Sequence, residues 1–170
     1  MKWTKDLAAV RRLFQDYRQW LAEHQGTTAS ARARGQRGLA LIDTQIAELP
    51  GVYGPPRGEI VLAVAQQQLV ACGALRELEP KIGEIKRIYV RADHRGPVFG
   101  PRLTQALLDR AWQLGYERVR VDTLPTMTAA IKFYQEMGFV PIPSYWPHPA
   151  PGALFFEYTL EKAKSRRRGA

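Results

Sequence analysis

The hydrophobic period changes abruptly in the middle of this chain, and that change limits the fold more than any other feature. Glu59–Ala65 (EIVLAVA) and Leu69–Leu75 (LVACGAL) are short apolar runs separated by polar Gln66-Gln67-Gln68, the pattern of a β-hairpin. Pro80 breaks the run, and Glu84–Val90 (EIKRIYV) then alternates like a third strand. After Val90 the period lengthens. A glycine- and proline-rich loop, His94–Pro101 (HRGPVFGP), leads into a helix with Leu103, Ala106, Leu107, Ala111 and Leu114 on one face and Gly115 as its terminator. Arg118–Thr123 (RVRVDT) alternates again. A second helix starts at Pro125, runs through Met127, Ala130, Ile131 and Tyr134, and ends at Gly138, and Phe139–Ile142 and Leu154–Leu160 are the last strands. The hairpin demands antiparallel strands, and the strand–helix–strand segment demands a crossover between locally parallel ones. The expected fold is therefore α/β, a mixed sheet with helices packed on its faces.

Upstream, Leu7, Val10, Phe14, Tyr17 and Leu21 form the apolar stripe of a helix ending near His24–Gly26. A second helical stretch is expected over Leu39–Leu49, closed by Pro50-Gly51. Between them, Gly26–Gly38 (GTTASARARGQRG) reads as a basic loop.

At 170 residues the chain fits one domain, taken as residues 1–161, followed by a basic tail over 162–170. The formal charge of +9 invites a nucleic-acid reading, but its placement argues against it. Five positive charges lie in the tail and three more on Arg32, Arg34 and Arg37, which leaves the rest of the chain close to neutral. No basic–aromatic interleaving or known nucleic-acid reader motif occurs. Cys72 is the one cysteine, so neither an internal disulfide nor a Cys/His metal cluster is expected. That usage suits a reducing cytoplasm, and no apolar run is long enough for a membrane helix.

A strand ending at Val90, a loop with Gly96 and Gly100, and a helix immediately after could cradle a phosphate. Glycines admit a ligand close to the backbone, the helix start offers free N–H groups, and Arg95 and Arg102 add charge. The same features also describe an ordinary strand-to-helix turn. Neither the G-x-G-x-x-G nor the G-K-[ST] spacing is present.

Two segments carry a resemblance. IYVRADHRGPVFGPRLTQALL resembles the coenzyme A loop of the GNAT superfamily of N-acetyltransferases, and AAIKFYQEMGFVPIP resembles that family's second signature. The likeness covers about residues 59–160. It implies a mostly antiparallel central sheet flanked by helices on both faces, and transfer of an acetyl group from acetyl-CoA to an amine without a covalent enzyme intermediate. It further implies that Arg95, Gly96, Pro97, Val98, Phe99, Gly100 and Pro101 form the pyrophosphate loop, and that Ile88, Tyr89 and Val90 run beside the pantetheine arm. Tyr134 falls where the family places its general acid, although periodicity alone makes it a residue of a buried helix face. Glu84 matches a position where several members carry a base, and period-two alternation puts it on the face of Val90.

This chain departs from the family at Val98, which replaces the first motif glycine, and at Pro97 and Pro101, which have no N–H to offer. Met127 stands where many members carry asparagine. Those departures leave a second reading open, a module that binds coenzyme A or a metabolite without catalysis. Tyr145 and His148 lie in a proline-braced loop that fits two readings equally, the lining of an acceptor pocket or a loop that only packs its aromatics on the sheet edge. The acceptor is a small-molecule or peptide amine of unknown identity. Many relatives pair as homodimers, and the sequence leaves oligomeric state open.

Overall fold

The computed structural model describes residues 2–3, 6–24, 29–147, 149 and 152–160, with the backbone alone at 2–3 and 29–34. A seven-stranded sheet has the order β1-β2-β3-β4-β5-β7-β6. Its strands are β1 (Lys2–Trp3), β2 (Glu59–Ala65), β3 (Gln68–Glu79), β4 (Ile82–Val90), β5 (Arg118–Thr123), β6 (Val140–Ile142) and β7 (Leu154–Thr159). Every neighbouring pair is antiparallel except β4–β5. The α/β architecture and mostly antiparallel sheet expected from the sequence are therefore present.

Helices cover both faces. One face carries α3 (Phe99–Gln113) and α4 (Thr128–Met137), packed through Leu103, Leu107, Ala111 and Tyr134 on Val61, Leu75, Ile85, Val119, Val121 and Phe156. The other face carries α1 (Leu7–Glu23) and α2 (Ala29–Ala47), packed through Val10, Leu13, Phe14, Ile42 and Ile46 on Ile60, Leu62, Cys72 and Ala74. Asp6 caps α1 by accepting a hydrogen bond from the Ala9 amide at 2.9 Å. Burial pushes the Cys72 thiol pKa up, as expected of a small apolar core residue.

The basic stretch behaves differently from its expectation. Residues from Ala29 onward are helical, so α2 starts ten residues before Leu39. Alanine, arginine and glutamine are good helix formers, and they outweigh the glycines that suggested a loop. The tail at 162–170 lies outside the described residues.

The β2–β3 turn is tight. Ala65 pairs with Gln68, and Gln66 and Gln67 adopt left-handed φ values of 47° and 63°. Such a turn favours Asn-Gly, because side chains with a full Cβ are strained there. Replacing Gln66-Gln67 by Asn-Gly is expected to raise the unfolding free energy by about 1 kcal/mol. Chemical denaturation checks this, and an unchanged midpoint would mean the turn is not strained.

Candidate active site

The parallel pair β4–β5 stays together for only three positions, Ile82↔Arg118 to Glu84↔Arg120. Beyond them β4 continues to Val90 against β3, and β5 continues to Thr123 against β7. The two strands thus separate into a gap whose walls are backbone edges without strand partners across it. Such a gap can take an extended ligand that completes the ladder on either side.

A bulge lies beside the gap. Cys72 pairs with Tyr89 and Ala74 with Lys86, so Arg87 and Ile88 together oppose Gly73. Gly73 sits close under its neighbours: a Cβ would stand 2.7 Å from Ile88 Cδ1 and 2.9 Å from Leu107 Cδ1, so those side-chain ends would have to shift. Arg87 takes a left-handed φ of 60° to make the bulge. The extra residue inverts the alternation, so Ile85 and Ile88, three apart, both join the α3 side, while Tyr89 joins the α1 side.

The strand then feeds the candidate phosphate loop. Gly96 has φ 148°, with open space where a Cβ would be. Val98 precedes the helix with no side-chain cap. Arg102 is the first α3 amide bonded within the helix, to the Val98 carbonyl at 3.2 Å, which leaves the Phe99 and Gly100 amides without intrahelical acceptors. Pro101 occupies the first turn, where it costs no hydrogen bond. The loop is tied to α1. Arg91 pairs with Asp16 at 3.1 Å, and the Arg95 guanidinium lies 5.1 Å from the Trp20 ring. Free amides at a helix start, a glycine with open space and two flanking arginines fit a pyrophosphate, with fewer amides than four motif positions could offer.

Tyr134 is 5% exposed, packed against Phe133, Phe139 and Phe156 with centroids 4.3, 5.3 and 6.2 Å away. Burial holds its phenol above the ordinary 10.0, with smaller contributions from Asp122 and Tyr17. The ring belongs to the core cluster that includes Val119 and Val121 of β5 and Phe156 of β7.

Glu84 does not share a face with Val90, as strict alternation had suggested; the Arg87 bulge separates them. Its carboxylate is fully buried on the α1 side. Arg76 donates from Nε to Oε2 at 2.7 Å, Tyr145 donates its hydroxyl to Oε1 at 3.0 Å, and Lys86 Nζ lies 3.4 Å from Oε1. Lys86 also donates to Asp122. Burial opposes the charge on Lys86, but Asp122 and Glu84 outweigh it and the ammonium pKa is raised. Trp146 covers the cluster, 5.4 Å from the Arg76 guanidinium and 5.8 Å from Lys86 Nζ. Tyr145 thus stands over the active strands, whereas His148 lies outside the described residues. Burial, then the Glu84 carboxylate, holds the Tyr145 phenol protonated.

Arg76, Lys86, Asp122 and Tyr17 were not singled out from sequence. Lys86 and Asp122 carried a signal, since each is a charge inside a strand that otherwise alternates. Tyr17 was hidden in the apolar stripe of α1.

Comparison with known proteins agrees with this geometry. Residues 11–139 match the model of the acetyltransferase (GNAT) family. An uncharacterised N-acetyltransferase of Schizosaccharomyces pombe is 30% identical over 125 residues, 71% of this chain and 76% of that protein. An IAA acetyltransferase of Azospirillum brasilense is 29% identical over 122 residues, again 71% and 76%. Among solved structures, a Klebsiella pneumoniae protein described as an acyl-CoA N-acyltransferase superposes with TM-score 0.60 and 31% identity, over 71% of this chain and 86% of its own. An N-acetyltransferase of Thermoplasma acidophilum in complex with coenzyme A has TM-score 0.67 at 13% identity, over 91% and 93%, and so shares the fold. A sheet that parts between its one parallel pair, beside a helix start, defines an acyl-CoA transferase architecture. The chain belongs to the GNAT acetyltransferase family, and it is an acetyl-CoA-dependent N-acetyltransferase.

Proposed function

We propose that the β4–β5 gap receives the pantetheine arm of acetyl-CoA and that Tyr134 is the general acid of a direct transfer to an acceptor amine. What supports this reading is a gap that opens after three paired residues, with the buried Tyr134 ring packed on Phe156 of β7, the strand beside β5. When bound, acetyl-CoA supplies the acetyl group and a thiolate leaving group. The Phe99 and Gly100 amides, with Arg95 and Gly96, hold the pyrophosphate, and Pro97, Val98 and Pro101 shape the loop around it. The backbone of Ile88, Tyr89 and Val90 aligns the arm, and an amide of this strand steadies the developing oxyanion. Tyr134 gives its proton to the leaving sulfur.

The amine arrives on the α1 side, under Tyr145 and Trp146. Both carboxylates nearest the gap are already paired, Glu84 with Arg76 and Lys86, and Asp122 with Lys86. We therefore assign Glu84 a positioning role, fixing Lys86 and Tyr145, and leave the amine proton to water. The acceptor is a small molecule or peptide, and the compartment inferred is the cytoplasm, where the thiol of Cys72 stays reduced.

Calorimetric titration tests the reading. Acetyl-CoA should bind in the micromolar range, and a pantetheine analogue without the pyrophosphate about 100-fold more weakly, the worth of two charge-assisted hydrogen bonds. Equal binding of the two would remove the loop from its role. No binding of either would mean that Val98, Pro97 and Pro101 have disabled it.

A further inference from the structure

Among the described side chains, Arg87 is the one strand cation on the α1 face without a carboxylate. Its neighbours are all paired: Arg76 with Glu84, Lys86 with Asp122, and Arg118 and Arg120 with Glu157. Arg87 is 8% exposed, and no carboxylate pairs with it among the described residues. Its Nη2 donates to the side-chain oxygen of Gln45 on α2. Its guanidinium carbon lies 5.7 Å from the centroid of the Tyr17 ring. Its Nε is buried with no acceptor among the described residues. A buried cation with only a neutral acceptor is a costly arrangement, and here it coincides with a left-handed backbone at a bulge beside the gap. Such double cost at one residue is typical of a binding position.

We propose that Arg87 binds a carboxylate of the acceptor, so that the substrate is a small amine bearing a carboxylate, as amino acids do. The inference rests on the acetyl-transfer reading and names the substrate class for it. In the free protein Gln45 Oε1 stands where a carboxylate oxygen would, accepting from Arg87 and, at 2.9 Å, from the Tyr53 hydroxyl. An acid that displaces it gives Arg87 a counter-charge and gives Nε its missing acceptor, in the side-on geometry that suits a carboxylate. The position is within reach of the chemistry. Arg87 lies on β4 three residues past Glu84, where the pairing with β5 ends, on the same helix-covered side of the sheet as Lys86 and Tyr17. A short acceptor held by its carboxylate at Arg87 therefore carries its nitrogen toward the gap.

The test compares matched pairs, each of the common amino acids against its decarboxylated amine, with thiol release as the readout and thermal protection of the coenzyme A-bound protein as a second one. Acetyl-CoA affinity is measured first. Its loss would indict the acetyl-transfer reading and not this inference. With the cofactor bound, at least one carboxylate member should be preferred by about 100-fold in kcat/KM, the worth of a buried charge-assisted pair. Arg87→Gln should abolish the preference through KM while acetyl-CoA affinity holds. Gln45→Glu should supply the carboxylate internally, raising KM for the acid without lowering Tm. A panel in which no carboxylate member is preferred or protective overturns the proposal. So does an Arg87→Gln variant that keeps the preference, which would leave Arg87 as a strut between β4 and α2.

Discussion

Tyr134→Phe is expected to lower kcat by about 10²–10³-fold, within the usual contribution of a general acid, with acetyl-CoA affinity changed less than about twofold. The substitution removes one hydroxyl and keeps the ring that packs on Phe133, Phe139 and Phe156. The fold should therefore survive, and Tm serves as the control. The pH profile adds a second check. Burial raises the phenol pKa above its ordinary 10.0, so the acid form persists up to and beyond that pH. The wild-type kcat should climb as the acceptor amine loses its proton and then stay level to about pH 10, with no alkaline fall from Tyr134. An unchanged kcat in the variant would remove Tyr134 from the chemistry. A fall in the wild-type profile near pH 8 would show that another group supplies the proton.

Glu84→Ala is expected to cost about 3 kcal/mol of stability, the usual penalty for removing one partner of a buried ion pair. For a chain of this size that is a fall in Tm of about 10 °C. The loss has identifiable parts. Arg76 and Lys86 are only 17% and 16% exposed, and both lose a fully buried counter-charge. The Tyr145 hydroxyl loses its acceptor, so the loop carrying Trp146 loses its anchor. Differential scanning calorimetry measures the first effect. Acceptor KM measures the second, and it should rise more than kcat falls. If Tm holds and kcat collapses instead, Glu84 is the base that family resemblance suggested, and its ion pairs open during turnover.

The two cases separate what a linear pattern can carry from what it cannot. Tyr134 was legible because helix period and motif fix its place on α4 relative to Gly138 and Phe139. Glu84 was placed on the correct strand, but its face was misjudged. Alternation counts residues, and a bulge adds one that no propensity marks, since Arg87 has no glycine to betray its left-handed backbone. The α2 start was misread for a related reason: glycines and charges suggested mobility where helix formers prevailed.

By itself the sequence determined the order of strands and helices from α1 onward, though not the two-residue strand β1 before it, and it determined the mixed sheet, the loop that leads into α3 and the family of its chemistry. These depend on local period, turn residues and short motifs, all of which are contiguous in the chain. The tertiary structure alone decided that β4 and β5 part after Glu84, that Arg76, Lys86, Asp122 and Tyr145 converge there, and that Arg87 is left facing a glutamine. Those facts come from contacts between residues separated by up to 61 positions, as in the Tyr145–Glu84 bond. A charge on a strand announces itself in sequence, but its partner is chosen only when the sheet is assembled.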